Sequence, residues 1–334
     1  MAKLLEPIKA GKLELKNRLV MPPMATSAAN EDGSVSNGIL DYYDEKSKGG
    51  CFGLIIIEHS YIALQGKASE KQISVADDTM IPGLRELSAT IHKNGSKAVM
   101  QLNYSGSMGN PAITGLRTLG PSTVVNPRSS VGAMPREMNH NDIRRITKEF
   151  VDAANRVKEA GFDGVEIHSA HGYLLNQFYS PVTNKRTDEY GGNLKNRIRF
   201  HMEVIMAIQE ALGEDYPILL RLGASDHRED GTNVNHSIEA AIEFKKAGVD
   251  IIDISGGLSG FILPDNTEQG YFRDLSSKIK KHVDIPVILT GGITDPAAAD
   301  RLLQEGSADL IGVGRAVLKD SSWAQKAIEE LKSK

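Results

Sequence analysis

The sequence predicts an α/β protein, a single (β/α)8 barrel of the TIM type. Three observations predict it: eight short apolar, β-branched runs recur down the chain, helical patterns alternate with them, and the runs are apolar enough to be buried on both faces. The runs are Leu19–Met24, Gly53–Glu58, Lys97–Leu102, Gly164–His168, Ile218–Leu222, Asp250–Ser255, Pro286–Thr290 and Leu310–Gly314. Leu54-Ile55-Ile56-Ile57 has no polar alternate position, the mark of a strand in a parallel sheet covered on both sides. Helical periodicity is clearest at Asn141–Ala160, Asn193–Leu212, Asn235–Ala247, Tyr271–Val283 and Asp295–Glu305. Several of these end at Ala160-Gly161, Ala247-Gly248 or Glu305-Gly306, where glycine closes a helix in the left-handed conformation.

The competing architecture is a doubly wound open sheet. It usually has fewer strands and a glycine-rich turn after the first, whereas here the first run leads into Pro22-Pro23-Met24-Ala25-Thr26. A length of 334 residues suits one barrel, so residues 1–334 are read as a single domain. Two segments break the alternation. Glu6–Leu15 reads as a small hairpin over the barrel floor, and the stretch from Asn103 to Asn141 is too long and too rich in Gly, Pro and Ser for an ordinary connection. Its position after the third strand favours a lid over the active face rather than a disordered insert.

Composition narrows the function classes. With 39 basic and 43 acidic residues the net charge is -4, and no long like-charge run argues for nucleic acid or an anionic membrane as partner. A small molecule fits better, and a homo-oligomer stays open. Cys51 is the only cysteine, which excludes an intrachain disulfide and the cysteine sets of iron–sulfur or structural zinc sites. No window nears the roughly 18 apolar residues of a membrane span, and the N-terminus lacks the apolar stretch of a cleaved leader. The chain reads as soluble and unprocessed, with a reducing cytoplasm as its natural compartment.

Catalytic groups of such barrels lie at the carboxyl ends of the strands. Polar residues that interrupt or end the apolar runs are Gln101, His168, Arg221 and Asp253. Arg221 stands out, because a cation inside Ile218-Leu219-Leu220-Arg221-Leu222 is costly unless an anion or electron-rich group meets it. Asp253 is one partner; a ligand is the other. After the seventh and eighth strands come Thr290-Gly291-Gly292 and Gly312-Val313-Gly314-Arg315, where backbone amides and Arg315 suit a phosphate. No Gly-x-Gly-x-x-Gly lies between a strand and a helix, so the phosphate belongs to FMN or to a phosphorylated substrate. His168 and His171 have a spacing that also suits a metal, but neither His59 nor any other histidine forms a recognised motif with them. As a hydrogen-bonding pair they can instead hold a carbonyl oxygen, with Tyr173, protonated at neutral pH, as proton donor.

In combination these motifs resemble the Old Yellow Enzyme family of NAD(P)H:flavin oxidoreductases over essentially the whole chain, including the barrel domain of 2,4-dienoyl-CoA and enoate reductases. The resemblance rests on Leu15 through Met24, Gln101-Leu102, His168 through Tyr173, Asn176-Gln177-Phe178, Ser180-Pro181, Asn184 through Gly192, Asn196-Arg197, Arg221 and Gly314-Arg315. It implies FMN at the carboxyl ends of the strands, with Pro23, Met24 and Ala25 beside the ring, Gln101 and Arg221 on its pyrimidine edge, and Gly291, Gly292, Gly314 and Arg315 on its phosphate. It implies an ene-reductase: NADH or NADPH reduces FMN, an enone-type substrate binds to His168 and His171, and Tyr173 protonates the α-carbon. Ala25 stands where many relatives carry Cys or Thr, with Thr26 the neighbouring hydroxyl able to take over a flavin hydrogen bond, and Ser27 stands where small-barrel relatives carry a substrate-pocket tyrosine. The chain stops at Lys334 without the iron–sulfur and nucleotide-binding segments of the larger relatives, so electrons are expected directly from a nicotinamide or from a separate partner. The alternatives are a flavin-binding electron-transfer protein without alkene turnover and a metal-dependent hydrolase or lyase using His168 and His171. A dihydroorotate dehydrogenase-like flavin barrel lacks the His-x-x-His-x-Tyr arrangement.

Overall fold

The computed structural model describes residues 2–333; Met1 and Lys334, the two ends of the expected domain, lie outside the described residues. Eight strands close a parallel barrel in chain order: β1 (Leu19–Met21), β2 (Leu54–Tyr61), β3 (Lys97–Asn103), β4 (Gly164–Ser169), β5 (Ile218–Gly223), β6 (Ile251–Ser255), β7 (Val287–Leu289) and β8 (Leu310–Gly312), with β8 pairing back onto β1. All eight predicted runs are present, and β1 is shorter than its run because Pro22 and Pro23 have no N–H to give the ladder. The main outer helices are α1 (Asn37–Ser47), α2 (Ile81–Lys93), α3 (His140–Glu159), α4 (Arg199–Leu212), α5 (Val234–Ala247), α6 (Arg273–Lys280), α7 (Pro296–Gln304) and α8 (Trp323–Ser333). The helix expected over Asn193–Leu212 is divided: Ile198 ends a one-turn helix at Leu194–Arg197 before α4 begins. Among the described residues no helix is long and apolar enough to cross a membrane.

Strand parity organises the core. Outward residues such as Ile55, Ile57, Met100, Ile167, Leu220 and Ile252 pack under the helices. Inward residues Val20, Leu54, Ile56, Val99, Leu219, Ile251, Ile288 and Leu310 form a second cluster that fills the lower barrel. Its bottom is plugged by the predicted hairpin, Ile8–Ala10 paired with Leu13–Leu15, whose Ala10, Leu13 and Leu15 join that cluster. Gly11 makes this closure possible: its φ is 58°, and a Cβ there would lie 2.8 Å from Asp250 Cβ. Lys12 then pairs with Asp250 at 3.1 Å.

The long segment after β3 is ordered, with a short helix at Pro111–Thr114 and a two-residue ladder between Leu119–Gly120 and Arg136–Glu137. It leans over the carboxyl ends of the strands: Asn126 Nδ2 donates to Gly172 O at 2.8 Å and Arg128 Nη1 to Leu258 O at 3.3 Å.

Candidate active site

The inward parity that is apolar below turns polar above. On β3, β4, β5 and β6 the next inward positions are Gln101, Glu166 and His168, Arg221, and Asp253 and Ser255, all buried. Register makes them neighbours, with Gln101 opposite Glu166, His168 opposite Arg221, and Arg221 opposite Asp253. Gln101 Nε2 donates to Glu166 Oε1 at 2.7 Å. Arg221 Nη1 lies 3.2 Å from Asp253 Oδ2, close enough for an ion pair but not aligned as a hydrogen bond. Nε and Nη1 of Arg221, both Asp253 oxygens and Glu166 Oε2 are buried without a hydrogen-bond partner. Burial raises the pKa of Glu166, as does the neighbouring Asp253, while Arg221 opposes the rise; burial likewise raises Asp253 against Arg221. Asp253 is thus the protein partner expected for Arg221, but it leaves donor capacity unused.

At the mouth of β4 the chain reverses sharply. His171 and Gly172 both adopt left-handed φ, 60° and 79°, a strained state for histidine. Side chains hold the turn: Asn176 Oδ1 accepts from Gly172 N at 2.8 Å, and Gln177 Nε2 donates to Gly172 O at 2.7 Å. The turn brings His168, His171 and Tyr173 together, with the His168 ring 5.0 Å from each of the other two, edge-on to His171. His171 Nε2 sits 2.8 Å from Ser255 Oγ on β6, and His168 Nδ1 is buried without a partner. Burial holds both imidazoles well below the ordinary histidine pKa, helped by the Arg221 charge. They are neutral near pH 7, each with one N–H to donate. Burial raises the Tyr173 pKa, so its hydroxyl keeps its proton.

A third histidine joins them. His59 stacks on Tyr173 with ring centres 5.4 Å apart, and its Nε2 lies 3.3 Å from the Tyr173 hydroxyl. A register shift between Ile57 and Ser60 inserts a residue into β2, and such a bulge re-aims the side chains at it. Glu58, in the same irregularity, reaches the loop after β1, accepting from Thr26 N at 2.9 Å and from Thr26 Oγ1 at 2.6 Å. The Thr26 hydroxyl, expected to compensate for Ala25, donates to Glu58 and also accepts from Ala28 N. The bond to Glu58 fixes the loop that presents half-buried Pro23 and Met24 and exposed Ala25 at the mouth.

On the opposite side Gly291 and Gly292 have left-handed φ of 113° and 69°, and a Cβ on either would strike the Tyr271 ring at 2.7 and 2.8 Å. Arg315 Nη2 donates to the Tyr271 hydroxyl at 3.2 Å, while Gly314 lies against Met24, whose Sδ would be 3.1 Å from a Cβ there. Of the predicted cradle residues, Gly291, Gly292 and Arg315 therefore gather around Tyr271, a residue without a role in the sequence-based expectation, while Gly314 sits against Met24. The His168–His171 pair acquires no third metal donor: among the described residues the one cluster of three such groups is His140, Asp188 and Glu189 on the surface.

The model of the NADH:flavin oxidoreductase / NADH oxidase family matches residues 3–334. The chain belongs to that family. It is 44% identical over 327 residues to an NADH oxidase of Thermoanaerobacter brockii, covering 96% of this chain and 50% of that protein. A 2-naphthoyl-CoA reductase bound to 2-naphthoyl-CoA superposes with a TM-score of 0.93 at 28% identity, over 98% of this chain and 52% of that one. The Old Yellow Enzyme homologue of Zymomonas mobilis superposes at 0.86 and 25% identity, over 98% and 92%. The chain thus spans about half the length of the NADH oxidase it matches. As a family member it should accommodate FMN, and its donor set fits: a buried guanidinium with unmet donors faces a polar upper barrel, and backbone N–H groups at side-chain-free glycines sit beside an arginine.

Of the polar inward residues, Glu166 was missed although its place two before His168 gives it the same parity. Glu58, which ends a predicted run two residues after inward Ile56, carried the same parity signal and was missed as well, whereas His59 carried none, because a bulge is invisible to alternation. Ser255 closes a predicted run but as a small hydroxyl residue draws no attention.

Proposed function

We propose that this chain is an FMN-dependent ene-reductase acting on α,β-unsaturated carbonyl compounds. The observation that supports it most is the convergence of two neutral imidazoles, His168 buried and His171 half-buried, and a protonated tyrosine on one strained turn above Arg221. Gln101 and Arg221 would hold the pyrimidine edge of FMN, Pro23, Met24 and Ala25 would lie beside its ring, and Gly291, Gly292, Gly314 and Arg315 would hold its phosphate. FMN bound there supplies hydride, which it takes from NADH or NADPH.

His168 and His171 donate to the substrate carbonyl oxygen and so withdraw electrons from the conjugated C=C. For His171 this requires its proton on Nδ1, the tautomer in which Nε2 accepts from the Ser255 hydroxyl 2.8 Å away. Tyr173 gives its proton to the α-carbon as the β-carbon receives hydride. His59, with its Nε2 at hydrogen-bond reach of the hydroxyl, would orient that O–H.

Tyr173→Phe tests the assignment by rapid mixing of each half-reaction. General acid catalysis is typically worth about 10²–10⁴-fold, so reoxidation of the reduced flavin by cyclohexenone should slow by that order. Reduction by NAD(P)H should be unchanged. Equal loss in both half-reactions refutes the role, and reduction by NAD(P)H with no reoxidation by any activated alkene in the unmutated protein favours an electron-transfer module instead.

A further inference from the structure

Arg128 lies on the long segment after β3, and nothing in the chemistry above uses it. Its aliphatic stem packs on Gly172, where a Cβ would be 3.1 Å from Arg128 Cδ, and its guanidinium lies against Gly260, where a Cβ would be 2.2 Å from Nη1. Both glycines have left-handed φ and are free of side chains where the arginine passes. The residue is therefore threaded between the His171-Gly172-Tyr173 turn and the loop that follows β6. Asn126 anchors this placement from two positions before it: its Oδ1 accepts from Arg128 N at 3.0 Å while its Nδ2 donates to Gly172 O.

The charge is poorly met. The guanidinium makes one side-chain hydrogen bond, to Leu258 O at 3.3 Å, its Nε is buried without a partner, and among the described residues no carboxylate pairs with it. A half-buried cation that keeps free donors is costly to hold in place, and here it is held beside Tyr173 and His171, whose titration its charge influences. On the same loop, one residue past Gly260, Phe261 is 51% exposed and packs edge-on against His171 at 5.6 Å; Ile262 beside it is 44% exposed. An apolar surface and an unpaired arginine thus flank one side of the histidine pair.

We propose that Arg128 is a specificity-determining residue that receives the carboxylate of an anionic substrate with an apolar body, so that enoates are taken in preference to neutral acceptors. The inference rests on the ene-reductase reading and names its substrate class. A planar guanidinium recognises a carboxylate through parallel N–H donors, whereas the neutral imidazoles cannot balance its charge.

The test uses oxidised FMN-loaded protein and a near-isosteric pair of ligands, cinnamate and cinnamamide. Binding is read from the flavin absorbance change in the absence of NAD(P)H, and reoxidation of the pre-reduced enzyme is read separately. Cinnamate should bind more tightly than cinnamamide; Arg128→Gln should weaken cinnamate roughly tenfold or more and move cinnamamide less than about twofold, with Arg128→Lys intermediate. Equal effects on both ligands would overturn the proposal, as would a loss confined to flavin reduction by NAD(P)H, which would place the arginine on the nicotinamide's phosphates. If cyclohexenone reoxidises the enzyme while the charge pair is not distinguished, only the Arg128 assignment fails. If no activated alkene reoxidises it, the ene-reductase reading fails and takes this inference with it.

Discussion

The lower and upper halves of the barrel interior are built on the same strands with the same parity, yet they hold opposite chemistry. Below, Val20, Ile56, Val99, Leu219 and Ile288 pack against the hairpin, with nothing polar to satisfy. Above, one step along each strand, Gln101, Glu166, His168, Arg221 and Asp253 crowd together, with several donors and acceptors left unpaired. The closed barrel lets the first half carry stability while the second carries unmet polar capacity, the division expected when a rigid scaffold presents a site.

Mutations can break that comparison. Leu219→Ala, in the lower half, should cost roughly 4 kcal/mol of unfolding free energy by leaving a cavity, measured by urea denaturation, with the flavin spectrum unchanged. Asp253→Ala, directly opposite Arg221, should cost roughly 3 kcal/mol in flavin-free protein because it strands a buried cation. Saturation with FMN should recover part of that loss, whereas Leu219→Ala should show no such preferential rescue. A stability loss at Asp253 that FMN leaves untouched would assign Arg221 to the protein interior alone.

The smallest effect is a pH dependence. Burial lowers the His59 pKa to about 4, below the roughly 6.5 of an unfolded chain, so the folded state keeps this ring neutral where the unfolded state binds a proton. Stability from this group is intact above about pH 6.5 and declines as the pH falls toward 4. His59→Gln should flatten that part of the profile in thermal unfolding, and an unchanged profile would mean that His59 is not held neutral.

The fold was legible because alternation of apolar runs with helices, and of faces along each strand, follows directly from local chemistry. The candidate site was legible in part for the same reason: Gln101, His168, Arg221 and Asp253 break apolar runs, and Gly291, Gly292, Gly314 and Arg315 follow the last two strands. Features hidden from a one-dimensional reading were those made by tertiary geometry. The bulge that aims His59 at Tyr173, the bond that ties Thr26 to Glu58, and the passage of Arg128 between two glycines each depend on segments far apart in the chain. Glu166 is different, since strict application of parity would have included it.

The most direct measurement is an anaerobic absorbance titration of the purified protein. An FMN spectrum that bleaches on addition of NADH or NADPH and returns on addition of cyclohexenone, with cyclohexanone formed in equal amount, is the expected result. A colourless protein that does not take up FMN, or a bleached one that cyclohexenone leaves bleached, would contradict the assignment of the upper barrel to flavin-dependent alkene reduction.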